Sequence, residues 1–307
     1  MSTPNPNADA LLALSDRLQA LVQSASPHVV RVEGRRGAPA SGVAWSPDGL
    51  VVAAHHAVDR DDEIEVGLPD GTSAGASVAG RDPTTDLAVL RVKGATLAAV
   101  EWAEPPLGAG ALLLSVSRPG RSPRADLGVL ARAAGEWRAP TGGKLDRYLE
   151  ASLALRPGLS GALVLSAAGA PVGLATAGLL RGAALIVPPA TLRRVVRSLL
   201  AHGQVRRGWL GIASLPVSLP GPLRERTGEE VALLVTRVEA GSPAERAGLL
   251  LGDAILSFGG EALQDPGELY AVLTEDRIGD ALPLRLLRAG DVRELAVTVG
   301  ARGEGRP

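Results

Sequence analysis

The chain has 307 residues, 46% of them hydrophobic, which is enough to bury the cores of two domains. Its 32 basic and 33 acidic side chains nearly cancel, and no segment concentrates one sign strongly enough to bind nucleic acid. Cysteine is absent, which excludes a disulfide framework and a thiolate nucleophile. No pattern in the sequence requires a metal ion or another cofactor.

The first 23 residues predict an amphipathic helix, and we assign residues 1–24 to an N-terminal helical segment. Asp9, Asp16 and Arg17 interrupt its apolar positions, so the segment lacks the basic and apolar regions of a signal peptide. No later apolar run reaches the length of about 18 residues that a membrane span needs. These features predict a cytoplasmic protein with no membrane span.

Short apolar or alternating runs, separated by Gly, Pro and Asp, fill the chain from Val29 to Val187; they include VVRVEG, LVVAA, LAVLRV and ALVLS. No helical pattern of about 10 to 15 residues lies between them, which favours an antiparallel sandwich or barrel over a parallel βαβ sheet. The segment PPATLRRVVRSLLAHG then changes to a helical period and stops at Gly203. It predicts a helix that closes the first domain.

A second and smaller unit follows Gly203, with strands predicted near Trp209–Ala213 and Val231–Val238. The stretches SPAERAGLL and DPGELYAVLTED each place a capping side chain, a proline and a glutamate in the order of a helix start. LPLRLLRAGDVRELAVTV predicts two strands joined by a tight turn at Ala289–Asp291. Together these elements predict a compact module with both helices and strands.

Ser160 lies in the stretch RPGLSGA, where glycine on either side of a Leu-Ser pair predicts a tight turn that exposes a hydroxyl. A serine nucleophile needs a general base within hydrogen-bond reach, and the base needs a buried acid to orient it. A G-x-S-G pattern by itself is more typical of an ordinary turn, so the catalytic interpretation depends on finding those partners.

The order of the few histidines separates two kinds of serine hydrolase. In an α/β-hydrolase an acid and then a histidine follow the serine, but no Asp or Glu lies between Ser160 and His202, the only later histidine. The chymotrypsin order of His, Asp and Ser is satisfied by His56, by Asp86 at the start of an apolar strand, and by Ser160. Each residue alone could belong to a turn, but together they predict a catalytic triad.

These three blocks resemble those of the HtrA (DegP/DegQ-like) serine proteases. VVAAHHAVDRDDEIEVGLPDG, RDPTTDLAVLRV and RPGLSGALV are similar to the family's His, Asp and Ser blocks, in order and with similar spacing. The family's histidine precedes a small apolar residue and a valine, so the resemblance makes His56, not His55, the base. RRGWLGI and VEAGSPAERAGLLLGDAILSFGGE resemble two stretches of the HtrA-type PDZ domain. The resemblance covers roughly Ser24 to Val299.

The resemblance implies a mainly β fold, with a chymotrypsin-like double β-barrel followed by a C-terminal αβ PDZ domain. We therefore predict a trypsin-like serine protease domain at residues 25–203 and a PDZ domain at residues 207–302. The implied activity is that of a serine endopeptidase that cleaves unfolded or misfolded proteins in protein quality control. HtrA-like proteins are commonly trimeric and often exported, so a homotrimer is a further implication.

The loop around the predicted nucleophile departs from the family pattern. The resemblance assigns the oxyanion hole to the backbone amides of Gly158 and Ser160, but the family's Asn-Pro-Gly-Asn-Ser-Gly-Gly is replaced by RPGLSGA, and Ser152 stands where an Asp is usual. These changes leave three hypotheses: an active endopeptidase, a catalytically weak or inactive protease-like scaffold that binds peptides, and an esterase using the same triad. The walls of the substrate pocket, by resemblance at residues 174–177 and 184–186, are apolar and predict aliphatic P1 residues.

The PDZ resemblance also implies a binding site for peptide C-termini. Trp209, Leu210, Gly211 and Ile212 occupy the loop that opens the domain, and their backbone amides can form a site for a terminal carboxylate. The adjacent strand edge can pair with the peptide backbone. The predicted partners are therefore unfolded substrates at the protease domain and peptide C-termini at the PDZ domain, without nucleic acid.

Overall fold

A computed structural model of the chain describes residues 6–35, 37–203, 205 and 208–301. The chain divides into two units, Met1–Val205 and Arg206–Pro307. Residues 1–5 of the predicted N-terminal segment, and residues 207 and 302 at the predicted PDZ boundaries, lie outside the described residues. Among the helices that the structure describes, none combines the length and the apolar character needed to cross a membrane.

The first unit begins with a helix, α1 (Pro6–Ala25), and a six-stranded antiparallel barrel. The barrel strands are β1 (Val29–Glu33), β2 (Ala40–Ser46), β3 (Leu50–Ala54), β4 (Ile64–Gly67), β5 (Ser73–Asp82) and β6 (Leu87–Val92). Their order around the barrel is β1-β2-β3-β6-β5-β4, and β1 closes it by pairing with β4.

A second closed barrel follows in the same unit. Its elements are β7 (Leu112–Ser117), β8 (Arg124–Ala134), a small hairpin of β9 (Trp137–Arg138) and β10 (Lys144–Leu145), then β11 (Tyr148–Ala151), β12 (Leu163–Ser166), β13 (Pro171–Thr176) and β14 (Ala184–Val187). The barrel order is β11-β14-β13-β12-β7-β8. The predicted closing helix is α2 (Pro189–His202), which ends at Gly203 with the left-handed φ of 72° that favours glycine.

The continuous apolar runs of the first unit arise because its strands are buried on both faces. In β3, Val51 and Ala53 point into the first barrel, whereas Val52 joins a separate cluster with residues of the second barrel and of α2. In β6, Leu90 faces the barrel interior and Val89 the shared cluster. Alternating side chains therefore all lie in apolar surroundings, and the shared cluster holds the two barrels together.

The second unit combines a small sheet with short helices. Its elements are β15 (Gly208–Trp209), β16 (Ile212–Ser218), α3 (Gly221–Thr227), β17 (Val231–Val238), α4 (Pro243–Arg246), β18 (Ala254–Phe258), β19 (Glu261–Ala262), α5 (Pro266–Val272), β20 (Ala281–Arg288), β21 (Asp291–Thr298) and β22 (Gly300–Ala301). The main sheet has the order β16-β17-β18-β20-β21.

The predicted helix starts and hairpin are present in this unit. The Asp265 side chain accepts hydrogen bonds from the backbone of Gly267 and Glu268 and forms a capping box with Glu268. Ser242 Oγ accepts a hydrogen bond from Glu245 N, while the Glu245 carboxylate accepts from Gly241 N. These local sequence signals were therefore sufficient to predict where α4 and α5 begin.

Candidate active site

Asp86 is a buried carboxylate held at the beginning of β6. The preceding turn is organised by Asp82, whose side chain accepts hydrogen bonds from Thr84 N at 3.0 Å and from Thr85 Oγ1 at 2.6 Å. Asp86 itself has a left-handed φ of 57° and is 3% exposed. Residues other than glycine seldom adopt this backbone conformation, so the surrounding contacts must hold Asp86 in place.

His56 lies beside Asp86 in a short 3₁₀ turn, His55–Ala57, at the end of β3. Its Nδ1 is 2.7 Å from Asp86 Oδ2, and its backbone N–H donates to Asp86 Oδ1 at 2.9 Å. The imidazole is 35% exposed, whereas the carboxylate is almost fully buried. With the Nδ1 hydrogen donated to the carboxylate, Nε2 carries the lone pair that can accept a proton.

The neighbouring His55 differs from His56 in its surroundings. Its backbone N–H donates to Asp86 O at 3.0 Å, and its Nδ1 is buried with no hydrogen-bond partner among the described residues. Burial, together with the nearby Arg81 guanidinium, lowers the pKa of His55. His55 is therefore held as a neutral ring, and the contact with the Asp86 carboxylate belongs to His56.

Thr176, which the sequence placed only within the predicted pocket wall, and Gly178, which it did not single out, complete the surroundings of this pair. Thr176, at the end of β13, donates its hydroxyl hydrogen bond to Asp86 Oδ2 and accepts one from Gly178 N at 3.0 Å. A Cβ added to Gly178 would overlap Asp86 Oδ2 and lie 2.5 Å from His56 Nδ1. Glycine is therefore required here by the space around the pair, a requirement that appears only once β13 and β6 are packed together.

Ser160 lies between two turns that each need a glycine. Leu159 N donates to Arg156 O at 3.1 Å, and Ala162 N donates to Leu159 O at 2.9 Å. Gly158 and Gly161 occupy the position with positive φ in these turns, at 91° and 86°. A Cβ at Gly158 would come 2.5 Å from Pro119, and one at Gly161 would overlap Ser41 O. The predicted tight turn is therefore present and sterically demanding.

The structure brings Ser160 close to the His56–Asp86 pair but does not join the hydroxyl to the imidazole. Ser160 Oγ accepts a hydrogen bond from Ala177 N at 3.2 Å, and no hydrogen bond links it to His56 among the residues described. Thr176 binds the Asp86 carboxylate, and Ala177 binds the Ser160 hydroxyl. These two residues are consecutive, so their Cα atoms are about 3.8 Å apart. The two parts of the candidate site therefore meet at Thr176 and Ala177.

The backbone of the Ser160 loop is held by hydrogen bonds to its carbonyl groups, and two of its N–H groups have no acceptor among the described residues. Ser41 Oγ donates to Gly158 O at 2.9 Å, and Ser41 N donates to Ser160 O at 3.3 Å. Arg124 donates to Pro157 O at 3.1 Å. Within the described chain, the Gly158 and Ser160 N–H groups donate to no acceptor. Adjacent free amides of this kind are the donors that stabilise a developing oxyanion.

In the second unit, the loop before β16 presents a similar set of free amides. Leu210 O accepts from Ala244 N at 2.9 Å, and Gly211 O accepts from Glu239 N at 2.8 Å, whereas the N–H groups of Leu210 and Gly211 donate to no acceptor in the described ranges. Gly211 has a φ of 79°, and a Cβ there would overlap Ser242. Successive unpaired amides form a concavity suited to an anion.

Comparison with known proteins supports the two-part organisation. Residues 40–174 match the trypsin-like peptidase domain family, and residues 209–299 match the PDZ domain family. A protein of Brucella suis named "Probable periplasmic serine endoprotease DegP-like" is 30% identical over 273 residues, which cover 86% of this chain and 53% of its own length. The protein of the same name from Chlamydia trachomatis is 30% identical over 277 residues, 88% of this chain and 55% of its own.

Solved structures give the same result. "HtrA-type protease AlgW with decapeptide" has a TM-score of 0.74 and 26% identity, and the match covers 94% of this chain and 99% of that chain. The tripeptide complex of the same protease has a TM-score of 0.72 and 28% identity, covering 94% and 98%. The chain nevertheless spans only about half the length of the curated relatives it matches, at 53% and 55%.

The two barrels and the two family matches define a trypsin-like peptidase domain followed by one PDZ domain. Within that class, the chain is a homologue of the DegP-like serine endoproteases and shares its fold with the HtrA-type proteases. The predicted fold class and the resemblance read from the sequence are thereby confirmed.

The prediction of a cytoplasmic protein is wrong. The relatives from Brucella suis, Chlamydia trachomatis and a Marinomonas species are all named periplasmic, which points to an exported protein. The prediction rested on the charge pattern of the first 23 residues alone. That pattern describes a helix and carries no information about the compartment in which the folded domains work.

Proposed function

We propose that this chain is a serine endopeptidase of the HtrA type, with His56, Asp86 and Ser160 as its catalytic triad. The observation that carries the proposal is the buried Asp86 carboxylate, which binds His56 Nδ1 at 2.7 Å and so leaves the lone pair on Nε2 as the proton acceptor. The Thr176 hydroxyl adds a second donor to the same carboxylate oxygen. Relatives named serine endoproteases support this chemistry.

The proposed reaction proceeds through an acyl-enzyme. Ser160 Oγ leaves its hydrogen bond with Ala177 N, passes its proton to His56 Nε2 and attacks the carbonyl carbon of the peptide bond. The resulting oxyanion accepts hydrogen bonds from the Gly158 and Ser160 amides, each worth about 2.7 to 4 kcal/mol in related enzymes. The C–N bond then breaks as His56 returns the proton to the leaving amine. Water, activated by His56, hydrolyses the ester and regenerates Ser160.

The test combines active-site labelling with proteolysis. A fluorophosphonate probe should label the intact chain, which should also cleave unfolded casein, whereas Ser160→Ala should do neither because it lacks the nucleophile. Ser73→Ala, which changes an exposed serine of β5, is the matched control and should behave like the intact chain. Equal cleavage by the Ser160→Ala variant would reject the triad.

A catalytically weak or inactive scaffold is the second candidate, because Ser160 Oγ is bonded to Ala177 N and not to His56. A scaffold would leave Ser160 unlabelled by the probe while the chain still bound peptides. An esterase differs from both, because it would hydrolyse small esters but not casein. An added C-terminal peptide that raises the labelling rate would favour an endopeptidase whose loop is adjusted by peptide binding.

The remaining assignments of the proposal follow the same resemblance. We assign the N-terminal helical segment to residues 1–24, the protease domain to residues 25–203 and the PDZ domain to residues 207–302. Trp209, Leu210, Gly211 and Ile212 form the carboxylate-binding loop for peptide C-termini. Unfolded proteins are the substrates, aliphatic residues are preferred at P1, and the active form is an exported homotrimer. A P1-scanning peptide library and the mass of the assembly in solution test the last two assignments.

A further inference from the structure

Strand β16 forms one edge of the main sheet in the second unit. It pairs with β17 on one side and stands at one end of the sheet order, with no strand on its other side among the described residues, and α5 lies next to it. The carboxylate-binding loop, Trp209–Ile212, leads directly into this strand. A peptide whose terminal carboxylate lies in the loop would therefore extend along β16 in the antiparallel direction and pair with its free edge.

The hydrogen bonds of β17 determine which groups of β16 face that edge. Val235 donates its N–H to Asp253 O and accepts from Gly252 N, so both of its backbone groups point away from β16. Backbone groups alternate in direction along a strand, so the N–H and C=O groups of the preceding residue, Leu234, point toward β16. Its register partner is Leu215, which must therefore use its own backbone groups to pair with β17.

The same alternation assigns the outward-facing positions of β16. Leu219 N donates to Glu230 O at 2.9 Å, which places Leu219 in the inward set with Leu215. Ser214, Pro216 and Ser218 consequently present their backbone groups to the free edge. Proline has no N–H, and here the missing donor falls on the side where an added strand would pair.

We infer that Pro216 ends the peptide-docking edge of the PDZ domain, so that main-chain recognition is limited to about the last four residues of a bound C-terminus. This inference rests on the proposed binding of peptide C-termini. With the carboxylate at Leu210–Ile212, the peptide residue two before the last lies opposite Ser214, which offers both a donor and an acceptor. The residue four before the last lies opposite Pro216, which offers only its carbonyl oxygen.

The chemistry of the occupant follows from the same geometry. Leu210 and Leu269 belong to the apolar cluster beneath the loop, and Ile212 and Val272 pack against it. The bound peptide therefore ends in an apolar residue with a free carboxylate. The carbonyl of the peptide residue four before the last finds no donor at Pro216, so the paired stretch is broken there, before Ser218 is reached, and further length adds little affinity. A main-chain hydrogen bond of ordinary strength corresponds to about a fivefold change in affinity.

The test uses the full chain with Ser160→Ala, so that bound peptides are not cleaved, and C-terminal peptides of three, four, five and seven residues ending in Val or Leu. Fluorescence anisotropy should show affinity rising up to four residues and then levelling off. In the double variant that carries both Ser160→Ala and Pro216→Ala, the five- and seven-residue peptides should bind about fivefold more tightly than the four-residue peptide. Pro220→Ala, which removes a proline outside the docking edge, is the matched control and should leave the plateau unchanged.

The outcomes separate the inference from the proposed function. An affinity that keeps rising with peptide length in the chain with Pro216 would overturn the limit set by this residue. Binding of no peptide at any length, or equal binding of peptides with an amidated C-terminus, would instead reject the carboxylate site itself. The length series with Pro216 in place decides the question even if Pro216→Ala fails to fold.

Discussion

Ser41 joins the first barrel to the loop of the candidate nucleophile: its hydroxyl donates to Gly158 O at 2.9 Å. The hydroxyl also accepts a hydrogen bond from Arg118 N at 2.8 Å, and Ser41 N donates to Ser160 O at 3.3 Å. The side chain is fully buried, at 0% exposure. The carbonyls of Gly158 and Ser160 are therefore both held by Ser41, while the N–H groups of the same two residues, which would bind an oxyanion, are left free in the described part of the chain.

Substituting Ser41 by Ala should lower kcat about ten- to a hundredfold. The Gly158 carbonyl loses its donor, so the backbone that carries the Gly158 and Ser160 N–H groups is no longer held in position. KM should change little, since Ser41 does not lie on a substrate-binding surface. The affinity for a peptide aldehyde, which forms an oxyanion, should fall in parallel with kcat. Ser41→Thr keeps the hydroxyl and should retain most activity.

Ser46→Ala, on the same strand β2, provides the matched control and should leave kcat unchanged. A Ser41→Ala variant that keeps full kcat, with its fold verified by circular dichroism, would show that the loop does not depend on this hydrogen bond.

Gly178→Ala should abolish most activity, with an expected loss of at least about a hundredfold in kcat/KM. The added methyl would overlap Asp86 Oδ2 and approach His56 Nδ1 to 2.5 Å, so the pair must separate. Fluorophosphonate labelling should slow in proportion. Gly75→Ala is the control, because no atom lies within 4 Å of a Cβ built there; normal labelling of the Gly178→Ala variant would contradict the close packing described.

The second unit should lose stability in acid, because protonation of Asp253 weakens its ion pair with Arg288. Burial raises the pKa of Asp253, but hydrogen bonds from Arg288 and from Leu250 N outweigh it and hold that pKa below its usual value. A depressed carboxylate pKa stabilises the folded state above the unfolded value of about 3.9, and this stabilisation is lost as the pH falls through the folded pKa.

Asp253→Asn should therefore lower the free energy of unfolding by about 3 kcal/mol at pH 7, since it leaves Arg288 without its buried partner. The difference from the unaltered chain should shrink below about pH 4. Hydrogen–deuterium exchange of peptides from residues 208–301 in increasing urea isolates this unit. A difference of the same size at pH 7 and pH 3 would argue against titration of Asp253.

Ala289→Asn should stabilise the β20–β21 hairpin by about 0.5 to 1 kcal/mol. Ala289 and Gly290 connect the strands with φ of 53° and 88°, a turn in which Asn-Gly is preferred because Asn tolerates positive φ better than Ala. Urea unfolding followed by the same exchange method measures the change. The control is Ala281→Asn, which changes an exposed strand residue of β20 and should not stabilise the hairpin. A lower free energy of unfolding for Ala289→Asn would contradict the turn geometry.

Features that depend only on neighbouring residues could be predicted from the amino-acid sequence. The end of α2, the start of α5, the strand β17 and the turn at Ala289 follow from capping side chains, period and turn residues, all of which act within a few positions. The histidine order and the motif stretches were sufficient to recognise the protease and PDZ families. The compartment was predicted wrongly, because it does not depend on local structure.

The surroundings of the candidate site could not be predicted in this way, because they consist of contacts between distant parts of the chain. Thr176, Gly178 and Ser41 are far from Asp86 and Gly158 in sequence, and no local pattern marks a hydroxyl or a missing side chain as belonging there. Their contacts arise when the two barrels pack together, because packing brings donors and close-fitting atoms from separate strands to the same few ångströms. The same holds for Pro216, whose missing N–H matters only because the sheet register directs it to the free edge.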